Sequence, residues 1–233
     1  MEISARIRFI VFDWDGTLMD SESQIVSCLH GAIADLDLAP LSDDTVKNVI
    51  GLGLREAIDM LVPGQDDKFR SAFVAAYRKH WVSHEGSDLF GGAREVLDLL
   101  REQNFLLAVA TGKARNGLIR VLEQTGLTGY FDATRCADET LSKPHPQMLQ
   151  ELMQQVGVAG QHTLMVGDTE YDMEMATQAG AGKVAVCSGV HSAERLQRHA
   201  PLVCLDDVTA MPEWMDQAGL MQIIRNNPQQ VSK

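Results

Sequence analysis

Two carboxylates one residue apart, Asp13 and Asp15 in Asp13-Trp14-Asp15-Gly16-Thr17, follow directly on the apolar run Phe9-Ile10-Val11-Phe12. Further polar signals fall at or near the ends of later apolar runs: Thr111 in Val109-Ala110-Thr111-Gly112, Lys143 between Ser142 and Pro144, and Asp168 with Asp172 after Gly167. An aspartate can take a phosphoryl group in line, provided a hard cation relieves the repulsion between carboxylate and phosphate. Mg2+ suits this task, because it binds one or two carboxylates and keeps waters and phosphate oxygens for its other positions. Asp13 and Asp168 are its natural side-chain ligands. Residues two apart in an extended chain project to the same side, so Asp15 can protonate a leaving oxygen and later activate water. Lys143 offers a fixed positive charge and Thr111 a hydroxyl. The backbone amides of Gly112, Trp14 and Asp15 can complete a cradle for phosphoryl oxygens.

Such a site needs a fold that gathers distant residues. The run ending at Phe12 reads as a buried central strand of a parallel sheet, and ligands of such sheets bind beyond the carboxyl ends of the strands. From Phe90 onward, short apolar runs alternate with amphipathic helices. Strands are expected at Phe105 to Ala110, Phe131 to Cys136, Thr163 to Val166, Lys183 to Cys187 and Leu202 to Leu205. Helices are expected up to Gln103, over Ala114 to Gln124, Pro146 to Val156 and Tyr171 to Ala179, and finally over Val208 to Met215. This is the signature of repeated βαβ units, hence of a doubly wound, Rossmann-like parallel sheet with helices on both faces.

Between Leu18 and the second strand the pattern turns helical. Ser21 or Ser23 can cap a helix carrying Ile25, Leu29, Ile33 and Leu36; Ser42-Asp43-Asp44 can cap a second; Gly51-Leu52-Gly53 precedes a third that starts at Arg55. A fourth, Asp66 to Ser83, places Phe69, Phe73, Tyr77 and Trp81 on one face, which reads as core packing. The expected organisation is an α/β core over 1–19 and 89–216, a helical cap over 20–88 and a polar tail over 217–233.

With 233 residues and a formal net charge of -12, the chain would be repelled by nucleic acid and by anionic lipid, and it must build any phosphate site from a local positive field. Cys28, Cys136, Cys187 and Cys204 have no short pairing, the first residues lack the apolar stretch of a signal peptide, and no segment approaches the ~20 apolar residues of a membrane helix. Reduced thiols in a cytoplasmic protein, monomeric or weakly dimeric, are the expectation. His30, His80 and His84 have no zinc-ligand spacing and read as packing or surface residues.

D-x-D-G-T after a strand, a strand-end Thr111, Lys143 in Ser-Lys-Pro and Gly167-Asp168-x-x-x-Asp172 occur in this order, and together they resemble the haloacid dehalogenase-like hydrolase superfamily over nearly the whole chain. The resemblance implies Asp13 as nucleophile, Asp15 as acid/base, and Thr111 and Lys143 as phosphoryl binders. It implies Mg2+ held by Asp13, Asp168 and the Asp15 carbonyl, with Asp172 supporting the metal through water. It also implies that residues 20–88 stand in the place of the small helical cap. The chain is most similar to phosphoglycolate phosphatase-like members, which suggests 2-phosphoglycolate as substrate. Arg55, beside Gly51 and Gly53, can pair with a substrate carboxylate or phosphate.

Blander roles stay open at this point: Lys143 as a solvated loop lysine, Thr111 as a helix cap before Lys113, and Asp168 and Asp172 as helix N-terminal acids. A dehalogenase or a phosphonate hydrolase would lack the acid/base that Asp15 supplies. A phosphomutase would share every core motif. A non-catalytic phospho-accepting or binding module is the alternative of another class.

Overall fold

Every residue of Phe9–Phe12 is fully buried, and the strand pleat sends Ile10 and Phe12 to one face and Phe9 and Val11 to the other. This segment is β1 in the structure, a computed structural model that describes residues 7–83 and 87–221. His84 and residues 222–233 of the expected tail lie outside the described residues. With β2 (Leu106–Thr111), β3 (Ala133–Cys136), β4 (Thr163–Gly167), β5 (Gly182–Val186) and β6 (Val203–Leu205), β1 forms a parallel six-stranded sheet ordered β3-β2-β1-β4-β5-β6. The fold is the doubly wound α/β class expected from the alternation. β1 has β2 on one side and β4 on the other, so the winding reverses at β1 and opens a crevice beyond its carboxyl end.

Ile10 and Phe12 share a core with Leu107, Val109, Leu164 and Val166. Three helices cover that face: α5 (Ala93–Glu102), α6 (Arg115–Gln124) and α10 (Met211–Gln217). Phe9 and Val11 pack under α7 (Gln147–Val156) and α8 (Glu170–Ala179) on the opposite face, where the strands contribute small residues such as Ala108 and Ala110.

Three departures from the expected elements have local causes. β3 begins at Ala133 because Phe131 turns its ring edge-on to Trp14, with centroids 6.3 Å apart, while the Asp132 carboxylate accepts the Leu107 amide at 2.8 Å. The helix expected at Val208 to Met215 is split into a 3-10 turn, Val208–Ala210, and α10, which has a proline in its first turn. A five-residue helix, α9 (Ala193–Gln197), was not expected, since Leu196 is its one buried residue and so short an element carries no apolar period.

Residues between β1 and β2 supply α1 (Glu22–Asp35), α2 (Asp43–Lys47), α3 (Leu54–Leu61) and α4 (Asp67–Ser83). These helices have a hydrophobic cluster of their own, built on Leu29, Ile33, Val46, Ile58 and Phe73. Ser42 caps α2 by accepting the Thr45 amide, as expected. Ser21 stands before α1 but makes no cap bond; its hydroxyl is used elsewhere. His30 and His80 tie the insert together through Asp43 at 2.8 Å and Asp35 at 3.1 Å. The insert leaves and rejoins the core through paired backbone: Asp20 N donates to Asp88 O and Phe90 N to Leu18 O, both at 3.0 Å. Among the described residues, no helix is long and apolar enough to cross a membrane, and the four cysteines form no disulfide. Burial pushes the Cys28 thiol up to about 11 and that of Cys136 up to about 12, so both stay protonated and inert near neutrality.

Phe73 is the aromatic on the α4 stripe with no exposed surface. Phe73→Ala is expected to lower unfolding free energy by about 3 kcal/mol in urea titrations, from lost transfer energy plus the cavity left behind. A loss below about 1 kcal/mol would show that the insert collapses around the gap and that the ring does not organise it.

Candidate active site

Asp13 is the first residue beyond β1 and Asp168 the first beyond β4, so neighbouring strands deliver the two carboxylates side by side. Asp13 N donates to Val166 O at 2.9 Å, which extends the ladder to this point and fixes the Asp13 side chain at its end. Lys143 arrives from the loop between β3 and α7. Its ammonium lies 2.8 Å from Asp13 Oδ1 and 2.7 Å from Asp172 Oδ1, with side-chain exposures of 0% and 1% for Lys143 and Asp13. Lys143 is therefore not a solvated loop lysine. Asp172 is a helix N-terminal acid and a site residue together: Oδ2 accepts from the amide and hydroxyl of Thr169 in a capping box that starts α8, while Oδ1 meets Lys143. Asp168 precedes that cap. Its Oδ1 accepts the Thr17 hydroxyl at 2.9 Å and its Oδ2 the Val190 amide at 3.1 Å. The turn that brings Thr17 there passes through Gly16 at φ +79°, where a Cβ would land on the Asp168 carboxylate.

One oxygen each from Asp13, Asp168 and Asp172 lies within 4.8 Å of the others, and all three residues are buried. Burial pushes the Asp13 carboxyl well above the ordinary carboxylate range; Lys143 opposes the shift, and the Asp172 and Asp168 charges add to it. Burial and the Asp172 charge raise Asp168 to about 7. Burial also works against the Lys143 charge, but Asp13 and Asp172 outweigh it and hold that lysine above its ordinary value. Asp13 Oδ2 is buried with no hydrogen-bond partner. Three crowded carboxylates, one of them with an oxygen that has no partner, make a donor set that fits a hard divalent cation, while Lys143 offsets part of their charge.

Asp15 is served by different groups. Its Oδ1 accepts the Ser21 hydroxyl at 2.5 Å and lies 2.8 Å from the Lys113 ammonium, which in turn sits 4.4 Å from the centroid of the Trp81 ring. Lys113, Ser21 and Trp81 were not recognised as site residues from sequence. Lys113 directly follows Thr111-Gly112, and asking which cation could stand beside a second acidic group would have found it. Thr111 is fully buried at the end of β2, and its hydroxyl accepts the Lys113 amide at 3.1 Å. α6 starts only at Arg115, so Thr111 is no helix cap. The Trp14 amide, expected in the cradle, donates to Asp13 Oδ1 at 2.6 Å.

The Gly51-Leu52-Gly53 loop of the insert reaches the crevice. Gly53 N donates to Ser142 Oγ at 2.7 Å, and a Cβ on Gly112 would strike the Leu52 carbonyl. Tyr171 from α8 anchors the same loop, its hydroxyl donating to Asn48 O at 2.7 Å. Between insert and core lies a cavity of about 760 Å³, lined by Asp13, Asp15, Arg55, Gly112, Tyr77 and Trp81 among others. The α4 stripe packs as expected, with Phe73 fully buried and Phe69, Tyr77 and Trp81 against the same cluster, and Tyr77 and Trp81, stacked at 5.9 Å, also form cavity wall. Arg55 lines the cavity but is two-thirds exposed and paired with Asp67 at 2.7 Å.

The family model of haloacid dehalogenase-like hydrolases matches residues 10–186. The chain is 36% identical over 203 residues to the "Probable phosphatase IndB" of Dickeya dadantii, covering 84% of this chain and 88% of that protein. It is 29% identical over 208 residues to the phosphoglycolate phosphatase of Agrobacterium fabrum, covering 86% and 89%. A solved hydrolase from Pseudomonas syringae shares the fold at TM-score 0.83 with 22% identity, covering 90% of this chain and 98% of that one. With the motif residues seated at the ends of β1, β2 and β4 and the family model spanning the sheet from Ile10 to Val186, the chain belongs to the haloacid dehalogenase-like hydrolases.

Proposed function

We propose that the protein is a Mg2+-dependent phosphatase that hydrolyses a small phosphorylated metabolite through an aspartyl-phosphate on Asp13. The observation that carries this reading is the buried Asp13 carboxylate, with one oxygen engaged by Lys143 and the Trp14 amide and the other without a partner, beside two further buried acids. Asp13 and Asp168 would hold the metal by their side chains, with the Asp15 carbonyl, and Asp172 would support it. When bound, Mg2+ neutralises charge between carboxylate and phosphate and stabilises the charge that develops on the transferring oxygens.

The chain's own residues do the remaining work. The Asp13 carboxylate attacks phosphorus, and the bond to the leaving oxygen breaks as Asp15 gives that oxygen its proton. Water then attacks the phosphorus, Asp15 takes a proton from it, and the bond to Asp13 breaks, releasing inorganic phosphate and restoring both carboxyl groups. Lys143 holds Asp13 in line and offsets the charge of the entering phosphoryl group. The Thr111 hydroxyl and the Gly112 amide stand at the end of β2, where phosphoryl oxygens would be received. The insert forms the facing wall of the cavity in which the reaction would run.

2-Phosphoglycolate is the substrate we favour, supported by the relatives that carry that activity in their names. Arg55 would bind its carboxylate by exchanging Asp67 for it.

Asp13→Asn is expected to abolish phosphate release while far-UV circular dichroism stays native; hydrolysis of p-nitrophenyl phosphate at the wild-type rate would remove Asp13 from its role. Chelation is expected to stop turnover and Mg2+ to restore it. Mg2+ should also stabilise the fold, by about 2.7 kcal/mol at a hundred times its Kd. A melting temperature insensitive to Mg2+ would show that the three acids do not hold the ion.

A further inference from the structure

We infer that Lys113 is a positioning residue for proton transfer, and that Trp81 of the helical insert backs it. This inference rests on the proposed phosphatase reaction and concerns how Asp15 is presented within it. Asp15 has two oxygens in different surroundings. Oδ1 receives both the Ser21 hydroxyl at 2.5 Å and the Lys113 ammonium at 2.8 Å. Among the described residues, no hydrogen bond falls on Oδ2, in a residue that lines the cavity.

In a protonated carboxyl group one oxygen carries the hydrogen and the other is purely an acceptor. Two donors converging on Oδ1 hold it as an acceptor and leave Oδ2 as the oxygen through which a proton can pass to a leaving group. Without the donors, either oxygen could carry the proton and the group could turn about its own bond, losing the fixed geometry that makes proton transfer fast.

Lys113 has its own support. Its side chain is 10% exposed, and its ammonium is seated over the Trp81 ring at 4.4 Å. Trp81 belongs to the last turn of α4, while Lys113 follows β2 in the core and Ser21 opens the insert. Asp15 is therefore aimed by groups from both sides of the cavity, and its alignment depends on the insert being seated. Lys143, on Asp13 and Asp172, takes no part in this.

Leaving groups separate this role from binding phosphate charge. An alkoxide needs a proton to depart, whereas p-nitrophenolate leaves without one. Values of kcat/KM cover the steps up to departure of the first product, so later water attack does not enter. For Lys113→Met, kcat/KM with the alkyl ester 2-phosphoglycolate is expected to fall about thirtyfold, a part of the roughly 100- to 10,000-fold that general acid catalysis contributes, and with p-nitrophenyl phosphate less than about threefold. Asp15→Asn should show the same imbalance, larger in size. Trp81→Leu should show it in weaker form, and Lys113→Arg should recover most of the alkyl-ester activity. Equal losses on both esters would overturn the inference and make Lys113 a counter-charge for phosphate; no loss on either would overturn it too. Should Lys113→Met fail to fold, Lys113→Gln carries the same comparison. Wild-type protein that released phosphate from neither ester would instead refute the phosphatase reading itself.

Discussion

Three carboxylates and one ammonium share a buried pocket at the carboxyl end of the sheet, and the surplus of negative charge there is what the rest of the structure is arranged around. Asp13, Asp168, Asp172 and Lys143 are all at most 1% exposed. Burying such a set without compensation is costly, since desolvation of each charge exceeds what a single ion pair returns. The protein meets the cost with directional bonds: the Thr17 hydroxyl and the Val190 amide on Asp168, the Thr169 capping box on Asp172, and the Trp14 amide on Asp13. One carboxylate oxygen is left without a partner in a chain of net charge -12, and either a bound cation or proton uptake by the carboxyls, whose proton affinity burial raises, can balance the pocket.

The positive charge is divided between two lysines that do not meet the same acids. Lys143 engages Asp13 and Asp172; Lys113 engages Asp15. Two carboxylates one residue apart in sequence thus acquire different partners because the side chains that approach them come from different loops. The separation suits the separate tasks proposed for them, since a nucleophile needs its charge and an acid needs a located proton.

Much of this could be read from the residues. A buried strand announces itself by an unbroken apolar run, and the chemistry-bearing residues stand where those runs stop, so Asp13, Thr111 and Asp168 were legible along with the winding of the sheet. Lys143 was legible as a needed positive charge, though its burial between two acids was not, because the loop between β3 and α7, over residues 137–146, carries no periodicity to show where it folds. Lys113 and Ser21 were missed for a related reason: Ser21 sits where a helix cap is expected, and only the three-dimensional approach of Asp15 redirects its hydroxyl. The aromatic stripe of α4 was correctly placed on one face. A period of 3.6 cannot say that part of that packed face, at Tyr77 and Trp81, also lines a cavity.

The backbone pairing of Asp20 with Asp88 and of Leu18 with Phe90 has a consequence for how such a molecule can change through time. Entry to and exit from the helical segment are fastened to each other, so residues can be added to or lost from it without shifting the register of β1 against β2 or moving Asp13 and Asp15. Lengthening a segment whose ends are already joined costs little, because closure entropy grows only with the logarithm of length. The strand-end carboxylates are thereby insulated from innovation in the segment that walls the cavity, so the shape of that cavity can be rewritten while the acids keep their places.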